Sequence, residues 1–257
     1  MEAPLISLVT VTYNAAATLP STLESVAEQF FTDYEHVIID GASTDGTLAI
    51  AAGRPRTRIL SEADGGIYYA MNKAFDICRG KYLLFLNAGD MFTGPETLGS
   101  YADAILSCAG SQPKVVYGDT QLVNKFGIIT GPRHLSAPQI LTADSFRQGM
   151  LVCHQAFMVR RDVAPLYNTD YRFSADYDWC LRILQETTPD ECVNLLQNTI
   201  LYLDEGMTTR NHRASLLERF TIMRRHFGLA PTLGAHCGFL LRSLKRKILL
   251  DHNHGKH

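Results

Sequence analysis

The chain holds 257 residues, 46% apolar and 19% charged, with a formal net charge of −2. That composition is globular and long enough for a substantial core in one large domain or two small ones, which excludes disordered and fibrous classes. A bulk basic balance for nucleic acid is absent, so no nucleic-acid partner is expected.

Ile6 to Thr12 reads as a β-rich strand, and Ala17 to Phe30 as a helix with an apolar stripe of Leu19, Leu23, Val26 and Phe30. His36 to Ile39 is a buried strand, and Ser43-Thr44-Asp45-Gly46 a turn that opens a helix around Leu48. Arg58 to Ser61 is a short strand. Asp64 to Cys78 is a helix capped by Asp64. Tyr82 to Leu86 is a fully buried strand, followed by the loop Asn87-Ala88-Gly89-Asp90, and Val115 to Tyr117 is another strand. This alternation predicts an α/β fold with a largely parallel sheet and helical crossovers. Further on, Ala156 to Val159 and Asn198 to Leu203 read as strands. Asp176 to Glu186, Ser215 to Phe227 and Phe239 to Leu250 read as helices, the second closed by Gly228.

Three carboxylates share one predicted location. Asp40 follows the second strand, Asp64 lies just past the third, and Asp90 closes the loop after Tyr82 to Leu86. All three fall at the carboxyl ends of parallel strands, the edge where open α/β sheets bind ligands. The turn after the first strand, Thr12-Tyr13-Asn14-Ala15, is neither a dinucleotide fingerprint nor a P-loop. A row of carboxylates without a phosphate cradle suits a diphosphate when a divalent cation bridges the two. Asp40 could instead accept hydrogen bonds from a base or ribose. The bland alternative is that each Asp only caps a turn or helix.

At these residues the chain resembles the inverting family 2 glycosyltransferases with a GT-A fold, in particular bacterial enzymes of exopolysaccharide, colanic-acid and O-antigen synthesis. Four stretches carry the resemblance: Val9 to Asn14, Ile39-Asp40-Gly41-Ala42-Ser43-Thr44-Asp45-Gly46-Thr47, Ser61 to Lys73 with its Asp64-Gly65-Gly66-Ile67-Tyr68-Tyr69, and Phe85-Leu86-Asn87-Ala88-Gly89-Asp90. Weaker matches are His154-Gln155, Asp176 to Arg182, and Gly206-Met207-Thr208-Thr209.

The resemblance implies a Rossmann-like, mostly parallel central sheet flanked by helices. Its nucleotide-binding half would span about 1–120 and its acceptor half about 121–230, with a helical extension over 231–257. It implies that Thr12 and Tyr13 contact the base, that Asp40 hydrogen-bonds it, and that Asp64 lies at the ribose and diphosphate with Lys73 on the helix behind. Asn87 belongs to the same donor site. Asp90 occupies the last position of the family's metal motif and would hold Mn2+ or Mg2+ on the diphosphate, and Asp176 matches the catalytic base. Two positions depart from the pattern: Asn87 stands where the metal motif usually begins with Asp, and Ala175 where a Glu usually precedes the base.

Inverting transfer needs a base for the attacking hydroxyl and charge stabilisation of the leaving diphosphate. Asp178 has Arg182 four residues on, a surface ion pair that explains it, whereas Asp176 has no local partner and is preferred for the chemistry. His154 is expected to be a core or rim histidine, and Trp179 and Tyr68 to pack. In a late loop, His212 or Arg210 could reach the metal or phosphates. The implied donor is a nucleotide sugar, UDP-linked by preference, and the implied acceptor a lipid-linked or polysaccharide glycan. The alternatives are an inactive sugar- or nucleotide-binding scaffold on the same fold, or a nucleotidyltransferase, which would need a glycine-rich loop after the first strand.

From Arg210 onward ten Lys and Arg face two Asp and Glu, against 14 and 24 over residues 1–209. A basic amphipathic end with Leu241, Leu244 and Ile248 on one face suits an anionic membrane surface, or else a packed terminal helix. No apolar run approaches the ~18 residues of a spanning helix, and Met1-Glu2-Ala3-Pro4 does not resemble a secretory signal. The expected location is therefore cytoplasmic, peripheral on the inner face of the plasma membrane. The six cysteines form no CxxC pair and are expected to be free thiols without zinc.

Overall fold

The computed structural model describes residues 3–108, 110–204 and 212–254, with side chains described up to residue 242 except at 212. One nine-stranded sheet organises the chain. Its strands are β1 (Ile6–Thr12), β2 (Tyr34–Asp40), β3 (Thr57–Ser61), β4 (Tyr82–Phe85), β5 (Met91–Phe92), β6 (Val115–Val123), β7 (Ile129–Pro132), β8 (Phe157–Arg160) and β9 (Cys192–Leu203). The order is β3-β2-β1-β4-β8-β6-β9-β5, with β7 paired beside β6. β3, β2, β1 and β4 run parallel. β8 is antiparallel to both β4 and β6, and β6 and β9 are again parallel.

The helices are α1 (Leu19–Ala27), α2 (Thr47–Ala51), α3 (Ile67–Ile77), α4 (Thr97–Leu106), α5 (Ala175–Gln185), α6 (His212–Phe227) and α7 (Leu229–His254). β1, β2 and β4 are buried along their whole lengths. This is why they read as apolar runs rather than alternating ones. Their few polar side chains are satisfied inside: Ser7 donates to Glu35 at 2.7 Å, and Thr10 donates to the Leu86 carbonyl at 2.8 Å.

Several elements differ from the sequence expectation. α1 is shorter than Ala17 to Phe30, and Phe30, expected on its apolar stripe, lies past its end and is 71% exposed. β6 runs on from Tyr117 to Val123. The helix after β3 begins at Ile67, because Gly66 is its N-cap at φ +134°, and Asp64 lies outside it. The final helix begins at Leu229 rather than Phe239, with Pro231 in its first turn, where a missing N–H costs no helical bond. The boundary expected at 230/231 thus falls inside α7. β9 begins at Cys192, six residues earlier than expected, because pairing with β6 extends it past a register shift. α4, with Leu98, Tyr101, Ala102 and Ile105 buried, and the two-residue β5 are further elements of the sheet's second half.

Candidate active site

The carboxyl edge of the parallel strands gathers the expected residues. Asp40 ends β2, directly beside Thr12 at the end of β1. Its carboxylate is fully buried and already filled by its own chain: Thr12 Oγ1 donates at 2.9 Å, the Ser43 amide at 2.8 Å, Ser61 Oγ at 2.8 Å, and the Ser43 hydroxyl also donates. Burial pulls this carboxyl upward, but the bonds from Ser43, Ser61 and Thr12 outweigh it and hold it below the usual range. Asp40 therefore ties three loops together. Beside them Tyr13 stands 69% exposed, its ring near Gly41.

Asp64 is not the helix cap expected from sequence. Its Oδ1 accepts the Gly66 amide at 2.9 Å, an Asx-type turn two residues on. Its Oδ2 lies 3.0 Å from where a Cβ on Gly41 would stand. A side chain at position 41 would crowd Asp64 and Tyr13, so glycine keeps the two loops close. An open cleft of about 600 Å³ borders Asp64, Gly65, Tyr69, Lys73 and Leu166. Lys73 Nζ pairs with Glu62 at 3.1 Å and donates to the carbonyls of Glu62 and Ala63, bracing the Asp64 loop from behind.

The loop after β4 is shaped by Gly89 at φ +103° and clamped by α1. Thr22 Oγ1 accepts the Gly89 amide and donates to the Asp90 carbonyl, both at 2.8 Å. Asp90 is only 4% exposed; its Oδ1 accepts the Leu203 amide at 3.0 Å and its Oδ2 the Gln155 side-chain amide at 2.9 Å. Burial pushes its carboxyl up to about 7, with these two bonds pulling back. Nearby, the Asn87 Oδ1 is buried and has no hydrogen-bond partner among the described residues.

Asp176 stands in the first turn of α5. Its Oδ1 accepts Tyr68 Oη at 3.2 Å and its own helix's Tyr177 amide at 2.9 Å. Tyr68 is in the first turn of α3, just past the Asp64 loop, so the partner missing in local sequence arrives from 108 residues away. Cys153 and Tyr202 each feel the charges of both Asp90 and Asp176, which places the two carboxylates in one neighbourhood. Ala175 is fully buried in the core, so the usual Glu of that position would have no water to meet here.

Asp178 requires a correction. It is 2% exposed, not a surface pair: Arg182 Nε bonds Oδ2 at 2.8 Å and His226 Nε2 of α6 bonds Oδ1 at 2.9 Å. Its role is to lock α5 to α6. His154 is a core histidine, bonded to Tyr167 Oη at 2.6 Å and pushed down to about 4 by burial, with Asp176 pulling the other way. Trp179 packs in the core, stacked on Tyr167 at 4.8 Å. Gly206 to Arg210 lie outside the described residues, as does the side chain of His212. The six cysteines are free.

Two contributors escaped the sequence reading. Gln155 supplies a donor to Asp90, and its only signal was the His154-Gln155 match. Glu218 of α6 accepts the amides of Arg172, Phe173 and Ser174 at 2.7 to 3.0 Å, capping the start of α5 from another helix. Nothing local in the sequence signals that reach.

Residues 7–164 match the family Glycosyl transferase family 2. A PGL/p-HBAD biosynthesis glycosyltransferase of Mycobacterium bovis is 36% identical over 191 residues, covering 71% of this chain and 70% of that protein. Among solved structures, S. aureus TarS 1-349 in complex with UDP-GlcNAc superposes with a TM-score of 0.70 at 17% identity, over 93% of this chain and 73% of that one. Glucosyl-3-phosphoglycerate synthase from Mycobacterium tuberculosis, in complex with Mn2+, UDP and glucosyl-3-phosphoglycerate, gives 0.64 at 14% identity, over 87% and 80%. The chain belongs to glycosyltransferase family 2 and is a glycosyltransferase with the GT-A fold.

Proposed function

We propose that this glycosyltransferase moves a sugar from a nucleoside diphosphate donor, UDP-linked, to a hydroxyl of a lipid-linked glycan, with inversion by a single displacement. The observation that carries the reading is the division of labour at one sheet edge. Asp40 and Asp64 order the loops of the nucleoside side, Asp90 is held after β4 for the diphosphate side, and among the described residues nothing bonds the second carboxylate oxygen of Asp176. The M. tuberculosis structure with Mn2+ and UDP lends the same chemistry to this fold.

A divalent cation fits the residues present. Among the described residues no cluster of three His, Cys, Asp or Glu could enclose a metal ion. Asp90 and the partnerless Asn87 Oδ1 are, however, oxygen donors of the kind hard cations take, and phosphate oxygens and water would complete the shell. Among the described residues no cation pairs with the buried Asp90 carboxylate. Asp90 and Asn87 would hold the ion, His212 being a further candidate, and the ion supplies neutralisation of the leaving diphosphate.

In the reaction, Thr12 and Tyr13 contact the base, with Asp40 fixing the loops that form its pocket. Asp64 and the Lys73-braced loop orient the ribose side. The free oxygen of Asp176 takes the proton of the acceptor hydroxyl as that oxygen bonds the anomeric carbon. The bond from the anomeric carbon to phosphate oxygen breaks, and its electron pair leaves with the nucleoside diphosphate.

The experiment is calorimetric binding of UDP, GDP and dTDP, each with Mn2+ and with chelator, to wild type and Asp90→Ala. Metal-dependent binding of UDP that Asp90→Ala abolishes is expected. Absence of binding by any nucleotide to folded protein overturns the reading.

The basic end supports a peripheral contact with anionic membrane at the inner face of the plasma membrane, where a lipid-linked acceptor would be met. Among the described residues no helix is long and apolar enough to cross a membrane. Leu229, Leu233, Leu240 and Leu241 are exposed along α7, ahead of Lys245, Arg246 and Lys247 in sequence. Co-sedimentation with anionic vesicles should be lost when Lys245, Arg246 and Lys247 are changed to Glu, and unchanged binding refutes the contact.

A further inference from the structure

We propose that Tyr68 is a positioning residue for the proposed base: its hydroxyl holds one oxygen of Asp176 so that the other faces the acceptor hydroxyl. The inference rests on the assignment of Asp176 above. Asp176 Oδ1 accepts two bonds, from Tyr68 Oη at 3.2 Å and from the Tyr177 amide at 2.9 Å, and no described group bonds Oδ2. A carboxylate with one oxygen doubly held has its rotamer chosen, and only its second oxygen remains free to take a proton.

The phenol is suited to this task and to little else. Tyr68 is 7% exposed, so its ring is not a platform for sugar. The ring lies 5.8 Å from that of Tyr167, which in turn stacks on Trp179 at 4.8 Å, and Phe85 abuts both Tyr167 and Trp179. Asn72 fixes Tyr167 further: its side-chain oxygen accepts the Tyr167 amide at 2.8 Å and its side-chain nitrogen donates to the Tyr167 carbonyl at 3.0 Å. The aromatic column leaves the Tyr68 hydroxyl a fixed position. Burial, then the Asp176 charge, raises its pKa well above that of an ordinary tyrosine, so it stays protonated and donates.

Position in the chain gives the contact a second consequence. Tyr68 is the second residue of α3, four residues after Asp64, and the Gly66 amide between them donates to Asp64 Oδ1. The bond to Asp176 therefore ties the loop assigned to the donor directly to the helix that carries the base. A shift of that loop on donor binding would be passed to the carboxylate through one rigid side chain.

The test is steady-state transfer kinetics and UDP binding for Tyr68→Phe, Asp176→Asn and the double variant, with melting temperature recorded for each. Phenylalanine keeps the ring and its stacking and removes only the hydroxyl. Tyr68→Phe should lower kcat by about 10- to 100-fold, the scale of a misplaced catalytic group, with donor KM, UDP affinity and melting temperature unchanged. In the Asp176→Asn background the same change should have no further effect, because the group it positions is gone. Wild-type kcat in Tyr68→Phe, with Asp176→Asn lowered to a residual rate, overturns this proposal and leaves the base assignment standing. Wild-type kcat in Asp176→Asn overturns the assignment and this inference with it. A parallel rise in KM and fall in melting temperature for Tyr68→Phe would make the hydroxyl structural and also overturn the proposal.

Discussion

Glu218 and Ser174 lie 44 residues apart, yet the carboxylate of the first accepts the backbone amide of the second at 3.0 Å, along with the amides of Phe173 and Arg172. Ser174 is the N-cap of α5 and makes no capping bond with its own side chain. Its hydroxyl faces Ser215 of α6 at 3.1 Å instead. α6 thus does for α5 what a local Asp or Ser usually does, and a negative charge there also complements the helix dipole. Glu218→Ala leaves three N–H groups without that acceptor. It should cost about 2 kcal/mol of stability in urea unfolding and lower kcat, since α5 presents Asp176.

Asp176 and Asp178 should separate cleanly by experiment. Asp178 is buried between Arg182 and His226. Removing its carboxylate strands the Arg182 guanidinium and takes from His226 Nε2 its partner, so Asp178→Ala should cost about 3 kcal/mol in chemical denaturation. Asp176→Asn should leave stability within about 0.5 kcal/mol and lower transfer to a residual rate. A stable Asp178→Ala protein would show that the α5–α6 lock is dispensable.

Gly89 answers to two constraints at once. Its φ is +103°, and a Cβ would stand 2.7 Å from Leu203 Cδ2. Gly89→Ala should therefore cost about 1–3 kcal/mol through backbone strain and displace Asp90 from Gln155. Thermal unfolding checks the first effect. UDP calorimetry checks the second, with weakened metal-dependent binding expected.

His36 predicts a pH dependence. It is buried beside Thr10, and burial lowers its pKa from 6.5 to about 4. The folded protein holds this histidine neutral while the unfolded chain takes up a proton below 6.5, so stability falls as pH falls from 6.5 towards 4. The loss should be about 1.4 kcal/mol per pH unit over that window. Glu35 acts lower down: burial raises its pKa, but bonds from Arg79 and Ser7 outweigh this and leave it lowered, so its contribution is lost only on further acidification. His154, also lowered to about 4 by burial, adds to this slope, and Asp90, raised to about 7, opposes it. Urea unfolding from pH 7.5 to 5 checks the first window, and His36→Gln should reduce the slope there by about 1.4 kcal/mol per pH unit.

Much of the parallel half was legible because its signals are local. Buried strands such as Val37 to Ile39 appear as apolar runs, and Asp40, Asp64 and Asp90 follow those strands directly in sequence, so their shared edge could be placed without coordinates. Helix ends were less legible. Gly66 and Pro231 set them through backbone geometry that apolar periodicity does not report.

What the sequence by itself determined is the family, the α/β order of elements and the row of carboxylates at the ends of the parallel strands, because these are written in contiguous residues. Tertiary structure alone decided what each carboxylate meets. Asp40 is filled by Thr12, Ser43 and Ser61, Asp90 is held by Gln155 and Leu203, Asp178 is locked by His226, and Asp176 accepts the Tyr68 hydroxyl. Most of those partners stand tens of residues away, and a hydrogen bond depends on distance in space, which the order of residues along the chain does not set.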